Sequence, residues 1–364
     1  MRRPILIDDP RTPVPPEALD APGGFAWWYA EIADEQGNGV VLIWSWGLPF
    51  IPGVASRARS GNPMPARSNP SLNVVLYEAG RPSMYVLREL TPDRASYDPS
   101  GVWRFGDTVI RAVQRDGQLM VDADINVPVA GYDEPLTGRV RLAGPVPHGQ
   151  AVESGPGHRW TPLALPAFGT AQLTRPADKP LTVIGKAYHD RNTSPQPLHE
   201  LGIERWLWGR VGTEQGEKVF YVLESDRGEA MCFGLSFDRA GRCRRHALTA
   251  DLRGTARTLY GMRACRTVAL WEGDQHWLSL DLGAPVDDGP FYRRHLPVVP
   301  GIPKACASAE LIEPHRVDLA RHRMLVKMRV DSEQRPNSVW LPLFQGARDG
   351  RLSRLLSSWT RGLS

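Results

Sequence analysis

From Phe25 onward the sequence is a succession of short β-favouring runs. They are Trp27 to Ile32, Gly39 to Trp46, Leu72 to Glu78, Met84 to Leu90, Val102 to Phe105, Thr108 to Val113, Leu119 to Val127 and Leu136 to Leu142. Gly and Pro, 35 and 33 of the 364 residues, fall between them in turn signals such as Glu35-Gln36-Gly37-Asn38-Gly39, Ser60-Gly61-Asn62-Pro63 and Arg115-Asp116-Gly117. Runs of that length, bounded by breakers, leave no room for the three-to-four-residue recurrence of an amphipathic helix. An Asp-Gly pair between two such runs marks a hairpin. The pattern predicts an all-β chain.

The grammar repeats after residue 160, in Gly169 to Leu173, Leu181 to Tyr188, Glu204 to Val211, Lys218 to Glu224, Cys232 to Phe237, Cys243 to Leu248, Ala264 to Trp271, Trp277 to Leu282 and Met324 to Val330. Gly144 to His158 is dense in Pro and Gly, and the chain is long for one core. Two tandem β-barrel or sandwich lobes are therefore expected, over 23–160 and 161–364, behind an irregular Pro-rich arm at 1–22. Leu48 to Pro70 reads as a long surface loop of the kind that serves as a lid or binding loop. At the C-terminus, Leu352, Leu355, Leu356, Trp359 and Leu363 recur at helical spacing beside Arg351, Arg354 and Arg361. That run predicts a short helix, docked on a barrel or making peripheral contact with a membrane.

Several classes are set aside. A net charge of +4 with Arg scattered along the chain gives no concentrated basic face for nucleic acid, and at most favours an anionic membrane surface. Cys232, Cys243, Cys265 and Cys306 lack Cys-x-x-Cys spacing, and the first residues carry no apolar leader, so reduced thiols in the cytoplasm are expected. No window is apolar enough to span a membrane. There is no dinucleotide or phosphate loop, no Gly-x-Ser-x-Gly elbow and no His-Glu-x-x-His, and the nine His show no ligand spacing. Chemistry without metal or cofactor is what the sequence leaves.

Two short segments carry that chemistry. Tyr188-His189-Asp190-Arg191-Asn192 follows the apolar run that begins at Leu181. In a strand, Tyr188 and Asp190 point to one face while His189 points to the other. A phenol beside a carboxylic acid can donate a proton, although Asp and Asn at a strand end also serve as turn formers. His158-Arg159-Trp160 lies upstream with the same i, i+2 arrangement. Twelve Trp, several paired or alternating, suit a core or a pocket for an unsaturated ligand; Trp28, Trp46, Trp206, Trp208 and Asn192 are the candidates for binding it.

With Arg205-Trp206-Leu207-Trp208, these segments make the chain resemble the carotenoid 1,2-hydratase family, also called hydroxyneurosporene synthases, and the lipocalin-like hydratases around it. Gly23-Gly24-Phe25-Ala26-Trp27-Trp28-Tyr29, Ser71 to Tyr77, Pro290-Phe291-Tyr292-Arg293-Arg294 and Glu310 to Asp318 are similar to other segments of that family. The resemblance implies two lipocalin-like lobes, no cofactor, and His158, Trp160, Tyr188 and Asp190 as the residues that do the chemistry. Where the family has an aromatic residue and Gly after the Asn, this chain has Thr193-Ser194, which would alter the pocket wall beside the acid.

Adding water to an isolated alkene requires a strong acid, stabilisation of a carbocation and one water. A desolvated Asp190 oriented by Tyr188 would be the acid, the π-faces of Trp160 and neighbouring Trp rings would stabilise the cation, and His158 would be the general base. The expected activity is hydration of a terminal double bond of a long, acyclic carotenoid-like isoprenoid, in a cavity between the lobes or at their mouth. A cyclase or pericyclase on a polyene or polyketide, and a carrier of apolar ligands, are the alternatives.

Overall fold

The computed structural model describes residues 5–320, apart from 52–53, 130–131, 150–151, 154, 156, 177–178 and 303–304, together with 329–332. The first sheet contains β1 (Ile5–Ile7), β2 (Phe25–Ala33), β3 (Gly39–Trp46), β4 (Pro70–Glu78), β5 (Arg81–Glu89), β6 (Ala95–Asp98), β7 (Val102–Phe105), β8 (Thr108–Arg115), β9 (Gln118–Val127), β10 (Leu136–Pro145), β11 (His158–Thr174) and β12 (Pro180–Ser194). Its order is β5-β4-β3-β2-β12-β11-β10-β9-β8-β7-β6, antiparallel throughout. The sheet curls around its own apolar core as a half-barrel.

The second sheet begins with β13 (Ile203–Gly212), β14 (Gly216–Ser225), β15 (Ala230–Asp238) and β16 (Cys243–Ala247). Small strands follow: β17 (Thr249–Arg253), β18 (Ala256–Arg257), β19 (Arg263–Ala264), β20 (Thr267–Glu272) and β21 (Gln275–Asp281). Then β22 (Asp287–Asp288), β23 (Tyr292–His295) and β24 (Cys306–Ile312) complete the second sheet in the order β16-β15-β14-β13-β24-β23-β22. One of its faces packs on the three-stranded meander β17-β20-β21 through Phe220, Leu270 and Trp277. The other packs on the first sheet through a shared core that includes Trp27, Tyr29, Trp160, Tyr188, Trp208 and Tyr221.

β2 explains how the lobes are joined. All nine residues of Phe25-Ala-Trp-Trp-Tyr-Ala-Glu-Ile-Ala33 are buried, because the strand has protein on both faces. Trp28, Ala30 and Ile32 enter the first lobe's core, while Phe25, Trp27 and Tyr29 enter the core between the sheets. A Trp doublet thus supplies one indole to each side.

The all-β, two-lobed lipocalin-like expectation agrees with this architecture, but its internal divisions differ. The first sheet does not end at residue 160: β11 runs through that position, and β12 continues the sheet to Ser194. The 1–22 arm is not irregular, since Ile5-Leu6-Ile7 is a buried strand lying parallel to His158-Arg159-Trp160, and Pro16–Asp20 is a single helical turn. The late β segment, β25 (Arg329–Ser332), returns to the first sheet and pairs in parallel with β5. The 48–70 segment contains the short helix Val54–Arg59, and its first residues are buried rather than exposed. The expected C-terminal helix at 350–363 lies outside the described residues.

Candidate active site

β12 lies between β2 and β11, so its central residues are framed by two strands. Asp190 is paired with Tyr29 on β2, and Asn192 with Trp27 on β2 and Trp160 on β11. β11 keeps this register only at its start, since shifts follow at Pro162 and Ala164, where the prolines cannot sustain the ladder. β1 pairs with that start, at His158 to Trp160, ahead of the shifts. Arg191, on the opposite face of β12, donates to the Thr12 carbonyl at 2.7 Å.

The four expected catalytic residues meet around Asp190. Its Oδ2 accepts from Trp160 Nε1 at 2.7 Å and from the Tyr188 hydroxyl at 2.5 Å, and its Oδ1 accepts from Asn192 Nδ2 at 3.0 Å. Two donors occupy Oδ2, so a proton on this carboxyl belongs on Oδ1. Burial drives the Asp190 pKa up to about 7, with the Glu310 carboxylate adding to the rise and the hydrogen bonds from Tyr188, Trp160 and Asn192 opposing it. Tyr188 is lifted well above its ordinary value by burial and by Asp190, so it stays a donor.

Asn192 relays this arrangement to His158. Because the Asn192 amide nitrogen faces Asp190, its Oδ1 accepts from His158 Nε2 at 2.7 Å. This network places the imidazole proton on Nε2. Nδ1 is buried with no hydrogen-bond partner. Burial holds the His158 pKa down at about 4, against the Asn192 bond, so the ring is neutral. Its ring packs against Phe25, Trp27 and Trp206.

A cleft enclosing about 1000 Å³ of empty space, its open mouth included, lies between the sheets. Asp190 and Asn192 form part of its wall, with Trp206 and Trp208 opposite on β13. Trp27, Tyr29, Phe50, Tyr77, Tyr85, Tyr221, Phe291 and Tyr292 make half of the remaining lining aromatic. A wall of this kind suits an extended unsaturated chain, whose π-system packs on ring faces and edges. Leu48 and Phe50 also line it, so the start of the 48–70 segment does contribute wall.

Other expected residues fall elsewhere. Trp28 and Trp46 do not reach the cleft: strand alternation turns them into the first lobe's core, where Trp28 packs on Trp44 and Trp103 and Trp46 on Phe105. Trp160 presents its indole N–H to the acid, while its ring packs on Tyr221 and Phe233, so the role expected of its π-face passes to the lining rings. His158 stands behind Asn192 rather than on the cleft wall. Thr193 and Ser194 are buried and do not line the cleft; the Ser194 hydroxyl is turned to the Gln196 backbone. Neither of these two residues therefore forms part of the wall beside Asp190. His189 points away as expected, with Nδ1 donating to the Tyr29 carbonyl at 2.8 Å and its ring stacked on Trp44.

A second polar cluster, which reaches the wall through Glu310 and Tyr29, was not anticipated. Arg294 donates through Nη1 to Glu310 at 2.6 Å and to the Tyr29 hydroxyl at 2.8 Å, and through Nη2 to Glu31 at 2.6 Å. Arg210 pairs with Glu217 at 2.5 Å and approaches Glu31 at 3.4 Å. The sequence signal was a charged residue inside an otherwise apolar strand, Glu31 in β2 and Glu310 in β24. Among the described residues, no three His, Cys, Asp or Glu side chains converge as metal ligands, and no helix is long and apolar enough to cross a membrane.

Known proteins share sequence or fold with this chain. Over 234 residues, 60% of this chain, it is 28% identical to an acyclic carotenoid 1,2-hydratase of Thiocapsa roseopersicina; the match spans 52% of that relative, about half its length. Over 301 residues, 76% of this chain and 78% of the relative, it is 25% identical to a hydroxyneurosporene dehydrogenase of Chlorobaculum tepidum. Among solved structures, a Nitrosomonas europaea protein designated AttH shares the fold with a TM-score of 0.55 at 14% identity, covering 79% of this chain and 92% of that one. CghA in complex with Sch210972 shares it with a TM-score of 0.50 at 14% identity, covering 79% and 88%. A family model described as carotenoid hydratase CrtC matches residues 51–334, and the chain belongs to that family.

Proposed function

We propose that this protein is a hydro-lyase that adds water across a terminal C=C bond of an acyclic carotenoid-like isoprenoid, with Asp190 as the acid and no cofactor. Family membership and the similarity to an acyclic carotenoid 1,2-hydratase support the reaction class. The observation that carries the mechanism is a carboxyl group in an aromatic cleft whose pKa is raised to about 7. A carboxyl at its ordinary value would be ionised near neutrality and unable to protonate an alkene.

The proton leaves Asp190 Oδ1 for the less substituted alkene carbon, and a tertiary cation forms. Trp160 and Tyr188, both bonded to Oδ2, stabilise the carboxylate left behind and keep it from swinging onto the cation. The rings of Trp206, Trp208 and Tyr29 line the same cleft as Asp190 and are the ones available to a cation formed there; a desolvated cation–π contact is worth about 2 kcal/mol, and about 1.4 kcal/mol is tenfold in rate. His158 acts through Asn192, fixing the amide that fixes Oδ1. A carrier of apolar ligands would have no use for an acid so placed, and the Thr193-Ser194 departure, which had favoured a cyclase, lies away from the wall.

The test is incubation with an acyclic carotenoid in heavy-oxygen water and, separately, in deuterated water. The product should gain the mass of one water, carry labelled oxygen in its new hydroxyl and carry one deuterium on the adjacent carbon. Turnover without gain of water would overturn the reading.

A further inference from the structure

Asp190 gives up a proton, and the attacking water must lose one. Among the described residues lining the cleft, no His or Lys is present, and only two carboxyl groups are: Asp190 and Glu310. We infer that Glu310 is the catalytic base of the hydration, holding the nucleophilic water and taking its proton on Oε2. The inference rests on the hydratase reading above and adds the second half of the reaction to it.

The two oxygens of Glu310 are differently employed. Oε1 accepts from Arg294 Nη1 at 2.6 Å and from the hydroxyls of Tyr29 and Tyr292, each at 3.0 Å. The Tyr29 hydroxyl is nearer to Glu310 than to Glu31, which it approaches at 3.2 Å. Three donors fill Oε1 and lock the carboxylate in place. Oε2 takes no part in that bonding, and Glu310 is a wall residue whose side chain keeps 10% of its surface open. The free oxygen is thus the one available to a water in the cleft, where a carboxylate accepts readily.

The surroundings suit a base. Burial lifts the Glu310 pKa above its ordinary value, with Glu31 adding to the rise, while Arg294 and the hydrogen bonds of Tyr29 and Tyr292 oppose it. A carboxylate of that kind takes a proton more readily than an exposed one. Tyr29 stands between the two carboxyls: it is the cross-strand partner of Asp190 and a hydrogen-bond donor to Glu310. Glu310 in turn raises Asp190, so ionisation of one favours the protonated form of the other, which is the pairing of states an acid and a base require.

The step balances. The Asp190 Oδ1–H bond breaks as the alkene π pair forms a new C–H bond. A water lone pair forms the C–O bond at the cation, and the water's second-stage proton passes to Glu310 Oε2. One water has been added, Asp190 is ionised and Glu310 protonated, and solvent exchange returns the proton before the next turnover. His158, buried behind Asn192, is a positioning residue in this scheme.

Glu310→Gln tests the division of labour, with an acyclic carotenoid in deuterated water as probe. Hydration should fall on the order of 10² to 10³-fold, while the recovered carotenoid still gains deuterium, because the cation forms and collapses back to alkene. Asp190→Asn should lose both hydration and exchange. Hydration by Glu310→Gln within about threefold of the parent would overturn the assignment, as would loss of exchange together with hydration in a variant of unchanged melting temperature. Glu310→Asp keeps the charge facing Arg294 and withdraws the oxygen by one methylene; it should show the same split with a loss of about tenfold, and serves if the Gln variant does not fold. A parent enzyme that shows no hydration at all would overturn the underlying hydratase reading and this inference with it.

Discussion

Trp160 Nε1 donates to Asp190 Oδ2 over 2.7 Å, from a ring that packs against the stacked pair Tyr221 and Phe233 of the facing sheet. The second lobe therefore sets the acid's geometry through an indole that does not line the cleft. A hydrogen bond to the ionised form lowers a carboxyl pKa. Trp160→Phe removes that bond and keeps most of the packing, so the Asp190 pKa should rise further. Hydrogen bonds to charged groups are worth about 1.5 to 3 kcal/mol, and one pKa unit is about 1.4 kcal/mol. The alkaline limb of the pH–rate profile should shift up by roughly one to two pH units, with a weaker acid and a lower maximal rate. A limb that stays in place would show that the bond does not tune the acid.

Stability should carry the mark of the same carboxyl. The Asp190 pKa is about 7 in the folded protein against 3.8 as its ordinary value. Native protein thus binds the proton more tightly than unfolded chain does, and the stability this contributes is complete below the ordinary value and lost as pH rises through about 7. Asp190→Asn cannot ionise. The melting temperature of the variant should gain on that of the parent between pH 5 and pH 8, and a gap independent of pH would contradict the buried, protonated state.

Arg294 is the tie between the sheets, bonded to Glu31 on β2 and Glu310 on β24 and lying over the Tyr77 ring at 5.1 Å. Arg294→Met would fill the space but leave two buried carboxyls short of their partner, and removing one member of such a pair costs about 3–5 kcal/mol. A correspondingly lower denaturation midpoint is expected. Glu31 resists burial because Arg294 and Arg210 hold its pKa below the ordinary value. That stability is present above the ordinary carboxyl range and lost as pH falls through the folded value, so the acid limb of the parent's stability curve should flatten in the variant. An unchanged midpoint would mean that the cluster is dispensable.

The Trp residues should separate by face. Trp28→Phe disturbs only the first lobe's core, costing about 1–3 kcal/mol of stability with kcat and KM unchanged. Trp208→Leu strips a ring from the cleft wall and from its contacts with Tyr29 and Tyr188. Its kcat/KM should fall about tenfold or more, the order of one desolvated cation–π contact. Equal kinetic effects at the two positions would undo the distinction.

The sequence carried the β class, because short runs and Gly/Pro turns admit little else, and the i, i+2 spacing correctly put Tyr188 and Asp190 on one face and His189 on the other. It could not say which face of β2 meets the cleft. A strand buried on both sides shows no polar alternation around its Trp pair, so Trp27 and Trp28 are equivalent in the sequence, and only the cross-strand register with β12 tells them apart. The lobe division was misread for a related reason. Pro and Gly before His158 mark a loop, but the strand that follows pairs back into the sheet already built. Glu310 was visible as a carboxylate in an apolar run, yet its meaning depends on Arg294 and Tyr29, 16 and 281 residues away. Ile5-Leu6-Ile7 likewise gains its role from pairing with residues 158–160.

The most direct test of Asp190 as the acid is the turnover of Asp190→Asn on an acyclic carotenoid, measured beside the parent at one pH below 7 with the melting temperature of each recorded. Asn preserves size and can still accept from Trp160 and Tyr188, but it has no proton acidic enough to reach an alkene. Turnover is predicted to fall on the order of 10² to 10⁴-fold in a protein that remains folded. Activity within a few-fold of the parent in the folded Asn variant would contradict the account at its centre.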